Sequence, residues 1–363
     1  MSDPTTAGSA AAHGRRLLVR ADAGVGIGAG HVMRCLALAQ AWQDAGGEAR
    51  FLMASGAPAF QPLLNAESVM AAAVAAPIGS ATDAEFTARV ARELRAHWLV
   101  LDGYRFGADF QRAVAGAATR TAVIDDNAEC APYGVDLVIN QNVHAQPSMV
   151  RDRPPGSAAL LGSPFVLLRR PFLRHRGAPK VIAPHPRRLL VTMGAADPDN
   201  VTGKVIASLA SLSDPANQHL QVIVVVGAVN PNAEALARVA RDCPCAVEIR
   251  RAEPDMPGLM AWAEIAVAAA GSTTWELLFM GVPTVSVVIA DNQRAIAAEL
   301  GRREVVRNLG WHADVTPAQL AQTLSTVLND RTLRAALSAR GQSLVDGEGA
   351  GRVVRAMLQE GGL

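Results

Sequence analysis

Between residues 20 and 35 the chain reads Arg20-Ala-Asp22-Ala-Gly24-Val-Gly26-Ile-Gly28-Ala-Gly30-His31-Val-Met-Arg34-Cys35, with glycines at alternate positions and a histidine directly after the last. Glycine lets backbone approach a ligand with no Cβ in the way. A glycine-rich turn that opens a helix leaves N–H groups free at the positive end of the dipole, which suits a phosphate or another anion. His31 opens that helix and should face whatever the turn holds. Imidazole ordinarily titrates close to neutral pH, so proton transfer is the chemistry expected of it. Gly28 and Gly30 are the close-approach positions, and together with Asp22 and Arg34 they are expected to bind the substrate. No Gly-Lys-Ser/Thr follows, so this is not a Walker loop, and Gly-x-Gly-x-x-Gly is met only loosely. A tight strand–helix turn with an incidental histidine is the plainer alternative.

Three other stretches bear polar groups at the ends of apolar runs. Trp98-Leu-Val-Leu101 ends at Asp102-Gly103-Tyr104, and Thr121-Ala-Val-Ile ends at Asp125-Asp126-Asn127. Adjacent positions on an extended chain point to opposite faces, so the two acids are not expected to share a proton. One should face the ligand and the other should satisfy turn N–H groups, and Asp126 is taken as the ligand-facing one. In the second half, Ile265-Ala-Val-Ala-Ala-Ala270 runs into Gly271-Ser272-Thr273-Thr274-Trp275-Glu276. A helix starting near Ser272 offers a second anion site, and Glu276 can accept two hydrogen bonds from a ribose diol. Simple capping by Ser272 and an ordinary acidic first turn at Glu276 are the alternatives.

The elements that must position these groups follow from periodicity. Leu17-Leu18-Val19 is a strand, and Val32, Cys35, Leu36, Ala39 and Trp42 make one stripe of the helix after it. Further strands are expected at 48–54, 98–101, 121–125, 136–140, 188–193, 221–226, 246–249, 265–270 and 284–289. Helices are expected at 83–95, near 200, after 256, after 272, after 291, from 316 and after 346. Thr316-Pro317-Ala-Gln319 has the form of a capping box with proline at the first helical position. Strands alternating with helices on Ala/Val/Leu-rich sequence indicate parallel sheets covered on both faces. Ligands in such sheets gather outside the carboxyl ends of the strands, where all the polar groups above lie.

The chain has 363 residues, long for one domain, and proline and arginine gather between residues 145 and 187. We therefore expect a disordered tail over 1–14, an N-terminal α/β domain over 15–178, a linker near 175–187 and a C-terminal α/β domain over 187–363. The expected fold is α/β: two doubly wound Rossmann-like domains facing across a cleft, the glycosyltransferase-B architecture. A net charge of +1 without a basic block argues against nucleic acid. No signal peptide starts the chain and no apolar run nears the ~20 residues of a membrane span. Cys35, Cys130, Cys243 and Cys245 lack disulfide or zinc spacing, which points to a reducing cytoplasm, and no metal or other cofactor is expected. Oligomeric state is left open.

The first motif resembles the UDP-sugar hydrolases of pseudaminic (nonulosonic) acid biosynthesis, which act on UDP-2,4-diacetamido-2,4,6-trideoxy-β-L-altropyranose. Gly28, Gly30, His31, Arg34 and Cys35 match that family's signature after its first strand. Tyr104 matches the tyrosine of its Asp-x-Tyr motif, and Asn292-Gln293 its Asn-Gln. The segments around Gly194, Gly271–Glu276 and Asp346–Arg352 are also similar. Phe165 stands where the family places tyrosine, and Ala195 and Ala196 replace residues ahead of its Asp-Pro. The resemblance implies that the C-terminal domain holds UDP through Gly271, Ser272, Thr273 and Glu276, with Gly194 nearby. His31 then activates a water at the anomeric carbon, Tyr104 and Asn292 act with it, and Asp126 and Gln293 help hold the sugar. The implied reaction is metal-independent hydrolysis to UDP and free sugar with inversion. A UDP-sugar glycosyltransferase of the same architecture differs only in its acceptor. A nucleotide-sugar-binding protein without turnover is the third reading, and it leaves the placement of His31 unexplained.

Overall fold

A computed structural model describes residues 12–24, 27–194, 197–212, 219–227 and 230–359. The chain divides into two compact units. The first contains the residues up to Gly24, His31–Arg170 and those from Glu348 on; the second contains Val25–Gly30 and Pro171–Gly347.

The first unit is built on seven strands: β1 (Arg16–Ala21), β2 (Glu48–Met53), β3 (Met70–Ala73), β4 (Trp98–Asp102), β5 (Arg120–Ile124), β6 (Leu137–Asn140) and β7 (Ala158–Leu161). Their order is β3-β2-β1-β4-β5-β6-β7, and every pair is parallel. Alternate residues feed two cores: Leu17, Val19 and Val100 enter one, while Leu18, Leu99 and Leu101 enter the other. Burial on both faces is why these strands read as unbroken apolar runs. Val32, Cys35, Leu36, Ala39 and Trp42 of the helix Gly30–Asp44 are all fully buried. Ala37 and Leu38 are buried as well, so this helix is covered over more of its surface than one stripe.

The second unit repeats the plan with β8 (Arg188–Thr192), β9 (Gln221–Val226), β10 (Ala246–Arg251), β11 (Ile265–Ala269), β12 (Thr284–Val288) and β13 (Arg307–Trp311), in the parallel order β10-β9-β8-β11-β12-β13. In both sheets the winding reverses beside the first strand of the set, between β1 and β4 and between β8 and β11. The helix Pro317–Asn329 starts with the expected capping box: Gln319 N–H donates to Thr316 Oγ1 at 3.2 Å and Thr316 N–H to Gln319 Oε1 at 2.8 Å. Among the described residues no helix is long and apolar enough to cross a membrane.

Three strands were not anticipated. β3 and β7 are four-residue edge strands, and β13 contains Gly310 at φ +84°, so none shows a clean period. At the amino terminus, residues 1–11 of the expected tail lie outside the described residues. Ala12 is not tail: it is buried and its N–H donates to Ala45 O at 2.8 Å.

The largest difference concerns the helix Gly349–Leu358, which was expected in the second domain. Ala350, Val353, Val354, Met357 and Leu358 lie in the core of the first unit with Leu17, Val32, Trp42 and Val100. Trp98 Nε1 donates to Met357 O at 2.9 Å, and Arg352 donates to Pro164 O at 2.9 Å. The segment opening at Asp346 announced the helix but could not say which core it fills. A Cβ at Gly349 would lie 2.1 Å from Val166 O, so only glycine permits this approach. Gly349→Ala should therefore cost about 1–3 kcal/mol, typical of overpacking. Urea denaturation checks this; an unchanged midpoint would show that the backbone yields freely there.

Candidate active site

Asp102 ends β4, directly beside Ala21 at the end of β1. It therefore stands at the reversal of strand order, at the carboxyl edge where open α/β sheets bind ligands. The helix Gly30–Asp44 starts above the same edge, and its spacing puts His31 and Arg34 on one face. His31 Nδ1 lies 2.6 Å from Asp102 Oδ1. Arg34 grips the same carboxylate with two N–H groups, Nε to Oδ2 and a terminal nitrogen to Oδ1, both at 2.7 Å. The Cys35 thiol adds a contact of 3.2 Å to Oδ2.

Asp102 is fully buried, and burial alone would raise its pKa. The Arg34 charge, His31 and their hydrogen bonds outweigh that and hold the carboxyl well below the usual carboxylate range. For Arg34 burial works downward, but Asp102 and Asp126 push its pKa well above the ordinary value. Burial and the Asp102 charge raise the Cys35 thiol, which stays protonated and can donate. An ionised Asp102 is an acceptor only, so the imidazole nitrogen 2.6 Å away is the one that bears hydrogen. In a neutral ring the lone pair then falls on Nε2; a terminal nitrogen of Arg34 also lies 3.2 Å from Nδ1. The Tyr104 ring meets the imidazole edge-on at 4.8 Å and is 39% exposed.

Arg34 extends the network to Asp126, its NH1 donating to Oδ2 at 2.6 Å. Asn142 donates to the other Asp126 oxygen at 2.7 Å, and Asn140 to its main-chain oxygen at 3.0 Å. Asp125 points elsewhere: it accepts the N–H groups of Asn127, Glu129 and Cys130 and the Tyr133 hydroxyl.

Asp22 does not belong with the substrate-facing groups. It is buried, one oxygen accepts the N–H groups of Ala54 and Ser55 at 2.7 and 2.9 Å, and the other pairs with Arg20 at 2.6 Å. Arg20 is itself fully buried and forks onto Asp83. Asp22 thus ties the end of β1 to the loop after β2. Gly28 has φ +80°, a conformation glycine adopts without strain. Arg169 is buried, and Phe165 is half-buried against the first core.

In the second unit the corresponding reversal lies between β8 and β11. Ser272 precedes the helix Thr273–Phe279 with no side-chain hydrogen bond to its start. Thr274 instead turns back to Ala269 O at 3.2 Å. The helix Val201–Leu209 differs: Asp197 accepts Val201 and Thr202 N–H at 2.8 and 2.9 Å, and Asn200 accepts Gly203 N–H. Its start is closed by the chain's own side chains. Gln293 flanks Gly271, where an added Cβ would lie 3.6 Å from its Nε2, and Gln293 Oε1 accepts Ile289 N–H at 3.0 Å. Ser272, Asn292 and Gly194 are exposed, while Thr273 and Glu276 are half-buried. Ala195 and Ala196 lie outside the described residues. Among the described residues no three of His, Cys, Asp and Glu gather as metal ligands would.

Sequence reasoning passed over Asp102, reading it only as a strand end. The available signal was an acid closing a central strand, since a proton-transferring histidine needs an orienting acceptor.

Residues 189–347 match the glycosyltransferase family 28 C-terminal domain. The spore coat polysaccharide biosynthesis protein SpsG of Bacillus subtilis (strain 168) is 28% identical over 205 residues, 56% of this chain and 59% of its own length. The match thus spans less than two thirds of that relative. MurG of Acinetobacter baumannii superposes with a TM-score of 0.64 at 17% identity, covering 94% of this chain and 99% of MurG. A UDP-N-acetylglucosamine 2-epimerase gives 0.61 at 12% identity, covering 94% of each chain. Two parallel α/β units with these structural neighbours make the fold glycosyltransferase-B.

Proposed function

We propose that the chain is a nucleotide-sugar enzyme whose His31 activates a hydroxyl for attack on the anomeric carbon. The observation behind this reading is His31 Nδ1 on a buried, ionised Asp102, which leaves Nε2 as the base. As the new C–O bond forms, Nε2 takes the hydroxyl proton. The anomeric C–O bond to the diphosphate breaks, and its electron pair leaves with the nucleotide. Asp102 balances the imidazolium that results, as the acid does in a serine-protease triad. A single displacement inverts the anomeric carbon. In this reading the second unit supplies the nucleotide-binding groups. The diphosphate takes the N–H groups at Ser272 and Thr273, Gly271 allows its approach, and Glu276 accepts from the ribose. UDP is the nucleotide implied by the resemblance of these segments.

The origin of the attacking hydroxyl separates two readings. The family 28 match and the polysaccharide context of SpsG favour an acceptor sugar or lipid-linked hydroxyl, hence glycosyl transfer. The resemblance of Gly28–Cys35 favours water, giving UDP and a free 2,4-diacetamido sugar. Transfer is the better supported of the two. Incubation with UDP-N-acetylglucosamine and UDP-diacetamido sugars in ¹⁸O-water, sampled early, tests both. Transfer predicts UDP release that accelerates when a hydroxyl acceptor is added; hydrolysis predicts full-rate release without one. Both require unlabelled UDP, so labelled UDP, or UMP with a sugar phosphate, would sink the displacement at carbon.

A further inference from the structure

Cys243 and Cys245 flank Pro244 in the turn that joins the helix Ala233–Arg241 to the edge strand β10. Their sulfurs lie 3.3 Å apart. Cys245 is buried in the core of the second unit, whereas Cys243 packs against that core and keeps part of its surface open. Burial, with Cys243 beside it, raises the pKa of the Cys245 thiol. The other two cysteines are placed differently. Cys35 turns to Asp102 and Cys130 to Gly103 O, and burial with nearby acids raises both thiols.

Thiol–disulfide exchange needs one accessible thiol to attack and a second within reach to resolve the adduct. Cys243 meets the first condition and Cys245 the second. Two thiols in contact meet at an effective concentration far above that of a dissolved competitor. The ring they close spans a single intervening residue, which puts the bond among the readily reduced disulfides and not the permanent ones.

We infer that Cys243 and Cys245 are a reversible dithiol–disulfide site, oxidised by a small-molecule disulfide such as glutathione disulfide. The Cys243 thiolate attacks one sulfur of the oxidant, and the first glutathione leaves as its thiolate. Cys245 then gives up its proton, its sulfur attacks Cys243 Sγ, and the second glutathione leaves. The two protons and two electrons lost by the cysteines end on two glutathione thiols. All strands of this sheet are parallel, so the amino end of β10 lies at the edge opposite Ser272, which follows the carboxyl end of β11. The site is therefore separate from the nucleotide-binding groups proposed above and does not rest on them.

The intact chain is equilibrated with glutathione mixtures of rising disulfide content, quenched with acid, alkylated and mapped by peptide mass spectrometry. In the wild type Cys243 and Cys245 should lose alkylation together, as an internal disulfide that dithiothreitol reverses, while Cys35 and Cys130 stay alkylatable. Cys245→Ser should carry at least about tenfold more glutathione on Cys243 than the wild type, because nothing resolves the adduct. Cys243→Ser should leave Cys245 unmodified; glutathione on Cys245 there would overturn the assigned roles. Full alkylation of both wild-type cysteines under excess glutathione disulfide would overturn the inference. A glutathione adduct that persists in the wild type, or a disulfide joining two chains through Cys243, would do the same. The wild-type map decides by itself if either variant fails to fold.

Discussion

Asp102→Asn should lower turnover by roughly 10²–10⁴-fold, the range for disabling a base through its orienting acid. The exchange keeps the volume and one acceptor oxygen but places an N–H₂ where His31 Nδ1 now meets a carboxylate. The ring is then better satisfied with its hydrogen on Nε2, which leaves the reacting side without a lone pair. Raising the pH should not restore the rate, because the fault is a tautomer and not a protonation state. Recovery at alkaline pH would refute the orienting role. Stability should change in a directed way too. Asp102 has a folded-state pKa below its unfolded value of about 4, so its contribution is complete above that value and is lost as pH falls through the folded one. Urea unfolding between neutral and acidic pH should show a shallower acid loss in Asp102→Asn than in the wild type.

His31→Asn should cost roughly 10²–10⁴ in turnover while leaving nucleotide affinity within a few-fold. The double variant Asp102→Asn/His31→Asn gives the sharper measurement. If Asp102 acts only through the imidazole, its loss matters little once His31 is gone, and the double variant should match His31→Asn alone. Multiplied effects would mean that Asp102 contributes by a separate route. Steady-state rates of UDP release for the four proteins decide this.

The architecture was largely legible from pattern, whereas the linkages within the site were not. Leu17–Val19, Trp98–Leu101 and Gln221–Val226 are apolar on both faces, which only a sheet covered on both sides explains. The stripe from Val32 to Trp42 fixed the helix that bears His31, and the capping box at Thr316 appeared as written. Asp102 escaped notice because its role depends on β4 lying beside β1, a pairing between residues some eighty positions apart. Asp22 was misassigned for a related reason: its partner Arg20 also binds Asp83, 63 residues away, and nothing near the glycines announces that ion cluster. Local spacing shows which groups share a helix face or end a strand. It does not show which of them are already committed to each other.

The return of residues 349–358 to the first core also fixes an order of events during synthesis. Arg170 ends the main body of that unit, and Gly349 emerges from the ribosome 179 residues later. At roughly 5–20 residues per second, the interval is on the order of 10–40 s. Until then the core face that includes Leu17, Val32 and Trp42 lacks Val353, Val354 and Met357, and the Trp98 indole lacks its carbonyl partner. The nascent first unit is thus an incomplete fold that displays an apolar groove fitted to a helix not yet made. Meanwhile the second unit, whose segment closes at Gly347, has all its strands in hand. The unit synthesised first is therefore the last able to finish folding, and chaperone capture of stalled chains should concentrate on that groove.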